Sequence, residues 1–210
     1  NSLSRFKREL DVPNFQFSGT QLSSFSEAHL LGSSNTMDWV LGVNVWTEDF
    51  EQDNAVLNFS HDFNSHTAGL FAQGTMPLAD RWVLESGLRV DNTSDYGSFV
   101  LPRISLLYNV SEDTTLRIGG GLGYKEPTLF TEESEAQQFI NILPLNDSQL
   151  DAEQSAGLNV DINRSFDFHY GISLNLNLLA FYTRVDDPLH LVPQPGTLFF
   201  YSQPTDYLDS

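Results

Sequence analysis

The sequence predicts an all-β protein: an antiparallel, up-and-down segment of a transmembrane β-barrel with about nine strands. Three observations predict this fold. Most of the 210 residues alternate between apolar and polar side chains with the period of two that strands require. Several alternating stretches run well past ten residues, whereas strands of soluble proteins are usually about five to six residues long. Short turns and long loops also alternate along the chain, as they do in outer-membrane barrels.

The strands are recognised by which residues share a face. The clearest stretch is 166–182, where Leu174, Leu176 and Leu178 fall on one face and Asn175 and Asn177 on the other. A helix would spread these leucines around its circumference, so this stretch is predicted to be one strand. The other predicted strands cover residues 15–31, 41–46, 66–76, 82–91, 100–109, 116–125, 153–163 and 197–204.

The connections between these strands differ in length in a regular way. Short polar turns are predicted at 32–36, 77–81, 110–113 and 163–165, and long connections at 51–64, 127–151 and 186–196, with a shorter one near 92–98. A barrel places the tight turns at one edge and the long loops at the other. A soluble sandwich has no reason to keep every second connection tight.

Aromatic residues gather near the predicted turns. Trp82 begins one strand, Tyr108 ends another and Phe166 begins a third. Their position suits a ring at the lipid–water interface, although aromatic side chains also favour strands in general.

Composition limits the classes of function. Ten Lys and Arg against 28 Asp and Glu give a net charge of −18, which argues against nucleic acid as a partner. Many acids lie outside the alternating stretches, at 48–53 and 132–135, where solvated loops are expected and a loop cation site is the alternative. The absence of cysteine excludes disulfides and thiolate sites. No run of about 18 apolar residues indicates a spanning helix.

The residues from 99 to 127 resemble the barrels of TonB-dependent outer-membrane receptors. Leu101-Pro102-Arg103, Ser105 and Tyr108 precede a short turn, and Leu116-Arg117, Gly123-Tyr124 and Pro127 follow it. A second similarity joins residues 150–155 (LDAEQS) to residues 179–182 (LAFY), and residues 71–73 (FAQ) form a third. The succession covers residues 66–204 well.

The resemblance implies a 22-stranded barrel filled by a plug in the complete protein. Residues 1–210 are then expected to form part of one barrel domain, without the plug or the ends of the barrel. It implies a Gram-negative outer-membrane location, contact with membrane lipid, coupling to TonB through the plug, and uptake of a small molecule such as an iron chelate, a cobalamin-like molecule or a glycan. The isolated chain is expected to self-associate through its open strand edges.

Four cations on the polar face are the candidate ligand-binding residues: Arg89, Arg103, Arg117 and Lys125. The alternative, which we favour, is that they pair with Glu85, Asp91, Glu153 or Asp161 on neighbouring strands. No catalytic residues, cofactor or metal site are predicted, so the chain is not expected to be an enzyme. His61 and His66 are interpreted as ordinary polar residues, and the glycines at 119–121 as a close backbone approach rather than a phosphate loop.

Two other classes of function remain open from the sequence. The first is a passive porin or adhesin-type barrel, and a plug in the complete protein would argue against it. The second is a soluble β-sandwich binding module, which would fold as a compact monomer without detergent.

Overall fold

The computed structural model describes residues 1–13, 15–53, 60–145, 150–194, 196, 198–203 and 208–209. Strands dominate, and no helix in these ranges has the length and hydrophobicity needed to cross a bilayer. The elements are β1 (Ser2–Val12), β2 (Phe15–Ser33), β3 (Asp38–Gln52), β4 (Phe63–Ala79), β5 (Trp82–Thr93), β6 (Gly97–Ser111), β7 (Thr114–Lys125), α1 (Glu132–Ala136), β8 (Glu153–Phe168), β9 (Ile172–Asp186), β10 (His190–Pro193), β11 (Phe199–Ser202) and β12 (Leu208–Asp209).

The strands β1 to β9 form one antiparallel sheet in which every strand pairs with its neighbours in the sequence. These nine strands are 11 to 19 residues long, and the short β12 adds to β9 at the end of the sheet. The predicted up-and-down order and the unusual strand length are therefore confirmed. β10 and β11 form a separate two-stranded sheet.

Successive hairpins are displaced in one direction along the sheet. β4 continues four residues beyond Thr75, the residue paired with the first residue of β3. β6 continues three residues beyond Tyr108, which pairs with the first residue of β5, and β8 continues four beyond Arg164, which pairs with the first residue of β7. Each hairpin is thus shifted by three or four residues in the same direction relative to the one before it. The turns can then lie at the same height above the membrane only if the strands are tilted, as they are in the wall of a barrel.

The sheet has two chemically different faces because residues paired across an antiparallel ladder point to the same side. Leu70, Val90 and Val100 lie in one row of the apolar face and leave 38–62% of their surface exposed. The row next to it on the opposite, polar face contains Asn44 and Asp91. A single exposed apolar face of this extent requires lipid or a second layer to cover it.

The strand predicted over residues 166–182 is two strands, and the turn predicted at 163–165 is wrong. β8 runs through these residues to Phe168, and the turn follows at 169–171, where Tyr170 and Gly171 both have a φ of 73°. Phe168 pairs with Ile172. Because the loop has three residues, Phe168 and Ile172 both have even numbers and lie on the same face. The apolar residues therefore stay at even-numbered positions on both sides of the turn, and the sequence shows no break in the alternation.

Two further strand predictions need correction. β1 was not predicted, since its outward face carries Arg5, Lys7 and Glu9 instead of apolar residues. The predicted strand at 197–204 is not a wall strand, because its described part pairs as β11 with β10 within the long connection after β9. Residues 54–59 of the predicted loop at 51–64 lie outside the described residues.

The only extensive apolar core within the described residues lies on the polar face, at the edge of the long loops. Residues 126–145, here called the roof segment, fold inward and bury Leu129, Phe139 and Ile142 against Phe17 of β2 and Phe50 of β3. Phe139 stacks on Phe17 with 4.7 Å between ring centroids. The roof segment contains α1, so the predicted long loop is a folded cover over one end of the polar face.

Candidate ligand-binding face

Arg89 is held by a network on the polar face of β3, β5 and β7. Its Nε lies 2.8 Å from both carboxylate oxygens of Asp91, and its Nη2 donates to Asn44 Oδ1 at 3.2 Å. The Tyr124 hydroxyl donates to Asp91 Oδ2 at 3.1 Å. Asp91 is almost completely buried, while the Arg89 side chain remains 39% exposed. Arg89 thus pairs with one of the expected acids, but within its own strand and not with a neighbouring strand as expected.

The other three candidate cations differ in their partners. Lys125 Nζ lies 3.7 Å from a Glu153 carboxylate oxygen across β7 and β8, as predicted. Arg117 is opposite Asp161 in the ladder, but Asp161 accepts hydrogen bonds from the Asn163 and Asn177 amides instead. Within the described residues, neither Arg117 nor Arg103 forms an ion pair.

Two of the four cations line the same cleft. Arg103 pairs with Gly87 across β5 and β6, which makes Arg89 its diagonal neighbour on the polar face. The cleft has a volume of about 480 Å³, and the residues that line it from the polar face are Glu27, Phe71, Gln73, Gly87, Arg89, Leu101 and Arg103. Arg117 and Lys125 lie outside it. The cleft thus combines two guanidinium groups with an aromatic ring, an amide and one carboxylate.

The Tyr124 side chain lies on the face of the sheet opposite to the one that the alternation predicts. The alternation places it on the apolar face, but its ring stacks on Phe99 with centroids 4.0 Å apart and its hydroxyl reaches Asp91 on the polar face. Tyr124 is still paired with Gln154 of β8, but the β6–β7 ladder ends at the pair Arg103–Gly121, so no paired β6 strand separates the two faces on that side of Tyr124. Sequence alternation alone gives no sign of this break in pairing.

Polar contacts fasten the roof segment to the strands and to β11. Arg8 Nη1 lies 2.8 Å from Glu135, and the Arg8 guanidinium lies 5.0 Å from the Phe139 ring centroid. The Tyr201 hydroxyl donates to the Leu129 carbonyl oxygen at 3.0 Å, and burial raises its pKa to about 12. None of these residues was predicted to have a role, because the contacts join positions far apart in the sequence.

A comparison with known families decides what this sheet is. The family model described as "TonB dependent receptor-like, beta-barrel" matches residues 3–207. The chain belongs to the TonB-dependent receptor family. Membership confirms the resemblance and the predicted location in the Gram-negative outer membrane. The family consists of receptors and not of enzymes, as the sequence predicts.

Two relatives of this TonB-dependent receptor barrel have names that refer to iron. The iron-regulated outer membrane virulence protein of Vibrio cholerae is 29% identical over 122 residues, which are 58% of this chain and 18% of the relative. The ferrienterobactin receptor of Escherichia coli is 34% identical over 61 residues, which are 29% of this chain and 8% of the relative. The chain therefore spans less than a fifth of these relatives.

Solved receptor structures share the fold of this barrel segment. The siderophore receptor PirA from Pseudomonas aeruginosa aligns with a TM-score of 0.65 at 18% identity, over 90% of this chain and 35% of that chain. A double mutant of the Serratia marcescens hemophore receptor HasR, in complex with its hemophore HasA and heme, aligns with a TM-score of 0.67 at 16% identity, over 92% and 38%. In such a barrel the polar face lines the lumen, and the long loops lie on the extracellular side.

A smaller cavity lies at the extracellular rim of the receptor barrel, beneath the start of the roof segment. Its volume is about 250 Å³, and carboxylates line it from several elements: Glu48, Asp62, Asp95 and Glu126. Glu126 accepts a hydrogen bond from the Ser65 hydroxyl at 2.7 Å. Burial raises the pKa of Glu126, and the nearby Asp95 and Glu48 raise it further.

His61 lies beside this cavity and is nearly completely buried. Its Nδ1 lies 2.8 Å from Gln52 Oε1, and its Nε2 lies 3.0 Å from the Ile142 carbonyl oxygen of the roof segment. Burial lowers the pKa of His61. Within the described residues, no group of three or more potential ligands lies close enough together to hold a metal ion. The geometry gives the His61 ring a packing role.

Acidification is expected to tighten the roof segment through Glu126. Because its pKa is raised when the segment is packed, packing binds a proton, and this stabilises the segment as the pH falls from neutral toward the usual pKa of 4.5. Hydrogen exchange of the Glu135 and Phe139 amides should therefore slow from pH 7 to pH 5.5, after correction for intrinsic rates, relative to the Glu126→Gln variant. His61 acts in the opposite sense below its usual pKa, but it contributes equally to both proteins. Parallel pH profiles would contradict the role of Glu126.

Proposed function

We propose that the complete protein is an outer-membrane receptor that takes up a ferric siderophore with energy supplied through TonB. Residues 1–210 form part of its barrel wall, and further strands and a plug complete the receptor. The observation that carries the proposal is the lumenal cleft with Arg89 and Arg103 beside Phe71. Guanidinium groups and an aromatic ring suit an anionic, aromatic iron chelate.

The names of the relatives support iron as the cargo. They include an iron-regulated outer-membrane protein, a ferrienterobactin receptor and siderophore receptors. A chelate larger than a simple ion requires a lumen wide enough to admit it. The roof segment covers only one end of the lumenal face of this part of the wall.

Growth on a single iron source tests the function. A strain that lacks its own siderophores and siderophore receptors is given the complete gene and ferric enterobactin as its only iron. Growth that requires both the gene and TonB is the expected result. Growth without TonB would instead indicate a passive porin. Failure on ferric enterobactin together with TonB-dependent uptake of cobalamin or an oligosaccharide would contradict the siderophore proposal.

Arg103→Ala is expected to weaken binding of ferric enterobactin by about ten- to a hundredfold. A hydrogen bond between charged groups is worth about 1.5–3 kcal/mol, and Arg103 has no protein ion pair among the described residues to satisfy its guanidinium. Binding is measured on the full-length protein in detergent by quenching of tryptophan fluorescence. Arg5→Ala removes the same charge from the opposite face of the wall and should bind as wild type does. Equal losses in the two variants would show an effect of overall charge only.

A further inference from the structure

Arg164 is a cation on the lipid-facing, apolar side of β8. It pairs with Leu176 of β9 and lies between Ile162 and Phe166 along its own strand. Leu176 and Ile162 leave 53% and 41% of their surfaces exposed. In the outer membrane these side chains contact lipid, so the guanidinium of Arg164 also faces the bilayer.

The Arg164 side chain is directed toward the edge of the short turns. Its guanidinium carbon lies 4.7 Å from the Phe166 ring centroid, and Phe166 is the next residue of that face toward the periplasm. From Arg164 the strand continues four residues to its end at Phe168, about 13 Å along the strand. A long cationic side chain that extends in this direction places its charge near the membrane surface.

The guanidinium has no carboxylate partner among the described residues. Arg184, which lies on the same face at the extracellular end, shows the contrast, since its Nη2 lies 2.9 Å from Asp186. Glu112 and Asp113 form the turn that adjoins β8, but neither makes an ion pair with Arg164. A charge on a lipid-facing surface is costly without a counter-ion, and the cost decreases toward the interface.

The shape of the sheet leaves room for a partner at this level. β7 begins at Thr114, the partner of Arg164, so the last four residues of β8 have no partner in β7, and this leaves a step beside the end of β8. On its extracellular side the step is bounded by the hydrogen bond that the Ser165 amide donates to the Asp113 carbonyl oxygen. Trp82 of β5 and Tyr108 of β6 stack 4.3 Å apart on the same face, at the end of the sheet that carries the short turns. Such aromatic pairs lie at the level of lipid headgroups.

We propose that Arg164, stacked on Phe166, binds the headgroup phosphate of a phospholipid from the periplasmic leaflet. Stacking covers one flat side of the guanidinium and leaves its N–H edge for the planar, two-pronged contact that phosphate oxygens accept. The step beside β8 holds the headgroup, and the leucines of β9 contact the acyl chains. The site rests on the membrane location and is independent of the transported ligand.

Native mass spectrometry with phosphatidylglycerol tests this site. The full-length protein is stripped of lipid in mild detergent and titrated with dioleoyl phosphatidylglycerol. Arg164→Gln is expected to weaken the tightest lipid-binding event by about tenfold or more, which is the effect of losing one charge-assisted contact. Arg117→Gln removes the same charge from the lumenal face of β7 and should keep that lipid. Arg164→Lys, which keeps the charge but loses the planar contact, should bind with intermediate affinity.

Three outcomes would overturn the assignment. The first is wild-type lipid binding by Arg164→Gln. The second is an equal loss in Arg117→Gln, which would show a general effect of charge. The third is displacement of the lipid by 10 mM inorganic phosphate, which would make this a site for free anions. Uptake of ferric enterobactin by Arg164→Gln should match wild type, so failure here is separable from failure of the proposed function.

Discussion

Replacing Phe139 with alanine should release the roof segment from the barrel wall. Phe139 is 2% exposed and stacks on Phe17, with Phe130 and Arg8 on other sides of its ring. Truncating a buried phenylalanine costs about 3–5 kcal/mol. The amide of Phe139, which donates to the Ser134 carbonyl oxygen, should then exchange hydrogen by about two to three orders of magnitude faster.

Phe6→Ala provides the matched control for this experiment. Phe6 lies on the same lumenal face of β1 but is 53% exposed, so its loss should leave the exchange of the Phe139 amide nearly unchanged. Similar acceleration in both variants would show that the whole sheet loosens. An unchanged rate in Phe139→Ala would show that the roof segment does not depend on this core.

The backbone conformation of Phe139 predicts the effect of glycine at this position. Its φ is 60°, and Gln138 and Asn141 also have positive φ values. Side chains with a Cβ are disfavoured in this region by about 1–2 kcal/mol, and glycine is not. Phe139→Gly should therefore hold the roof segment at least as well as Phe139→Ala, whereas glycine is the more destabilising residue in ordinary helices and strands. Burial of the Phe139 ring is what stabilises this conformation in the natural sequence.

The sheet could be predicted from the sequence because its cause is local. Apolar residues such as Leu174, Leu176 and Leu178 must face lipid, and a step of two residues records this directly. The alternation does not show where the chain reverses its direction. For that reason alternation alone could not locate the hairpin at Tyr170–Gly171, where a three-residue loop preserves parity.

The arrangement of the candidate site could be predicted only in part. Arg89 and Asp91 lie two residues apart, so their pairing follows from strand geometry. The contribution of Tyr124 depends on the end of the β6–β7 ladder, and the roof segment depends on contacts between positions more than a hundred residues apart, such as Arg8 with Glu135. Non-local pairings of this kind leave no periodic trace in one sequence.

Asp91→Ala is expected to lower the free energy of unfolding of the complete receptor by about 2 kcal/mol. The carboxylate is buried and accepts hydrogen bonds from Arg89 and Tyr124, and all of them are lost. Breaking a fully buried ion pair costs about 3–5 kcal/mol, but the Arg89 side chain is 39% exposed, so water recovers part of that cost. Urea unfolding in lipid vesicles measures the change. Asp167→Ala, an exposed acid on the same face of β8, should change stability by less than about 0.5 kcal/mol.

The double variant Arg89→Ala/Asp91→Ala separates the two causes of this loss. If Asp91 acts by neutralising Arg89, removing both charges should restore part of the stability that Asp91→Ala loses, because no unpaired cation remains. If Asp91 acts mainly through Tyr124, the double variant should be no more stable than Asp91→Ala. The Nδ2 atom of Asn44, beside this pair, has no hydrogen-bond partner among the described residues, which already costs stability. Arg89→Ala leaves the nearly completely buried Asp91 carboxylate without its cation, whereas Asp91→Ala leaves a guanidinium that water can reach, so Arg89→Ala should lower the free energy of unfolding more than Asp91→Ala does.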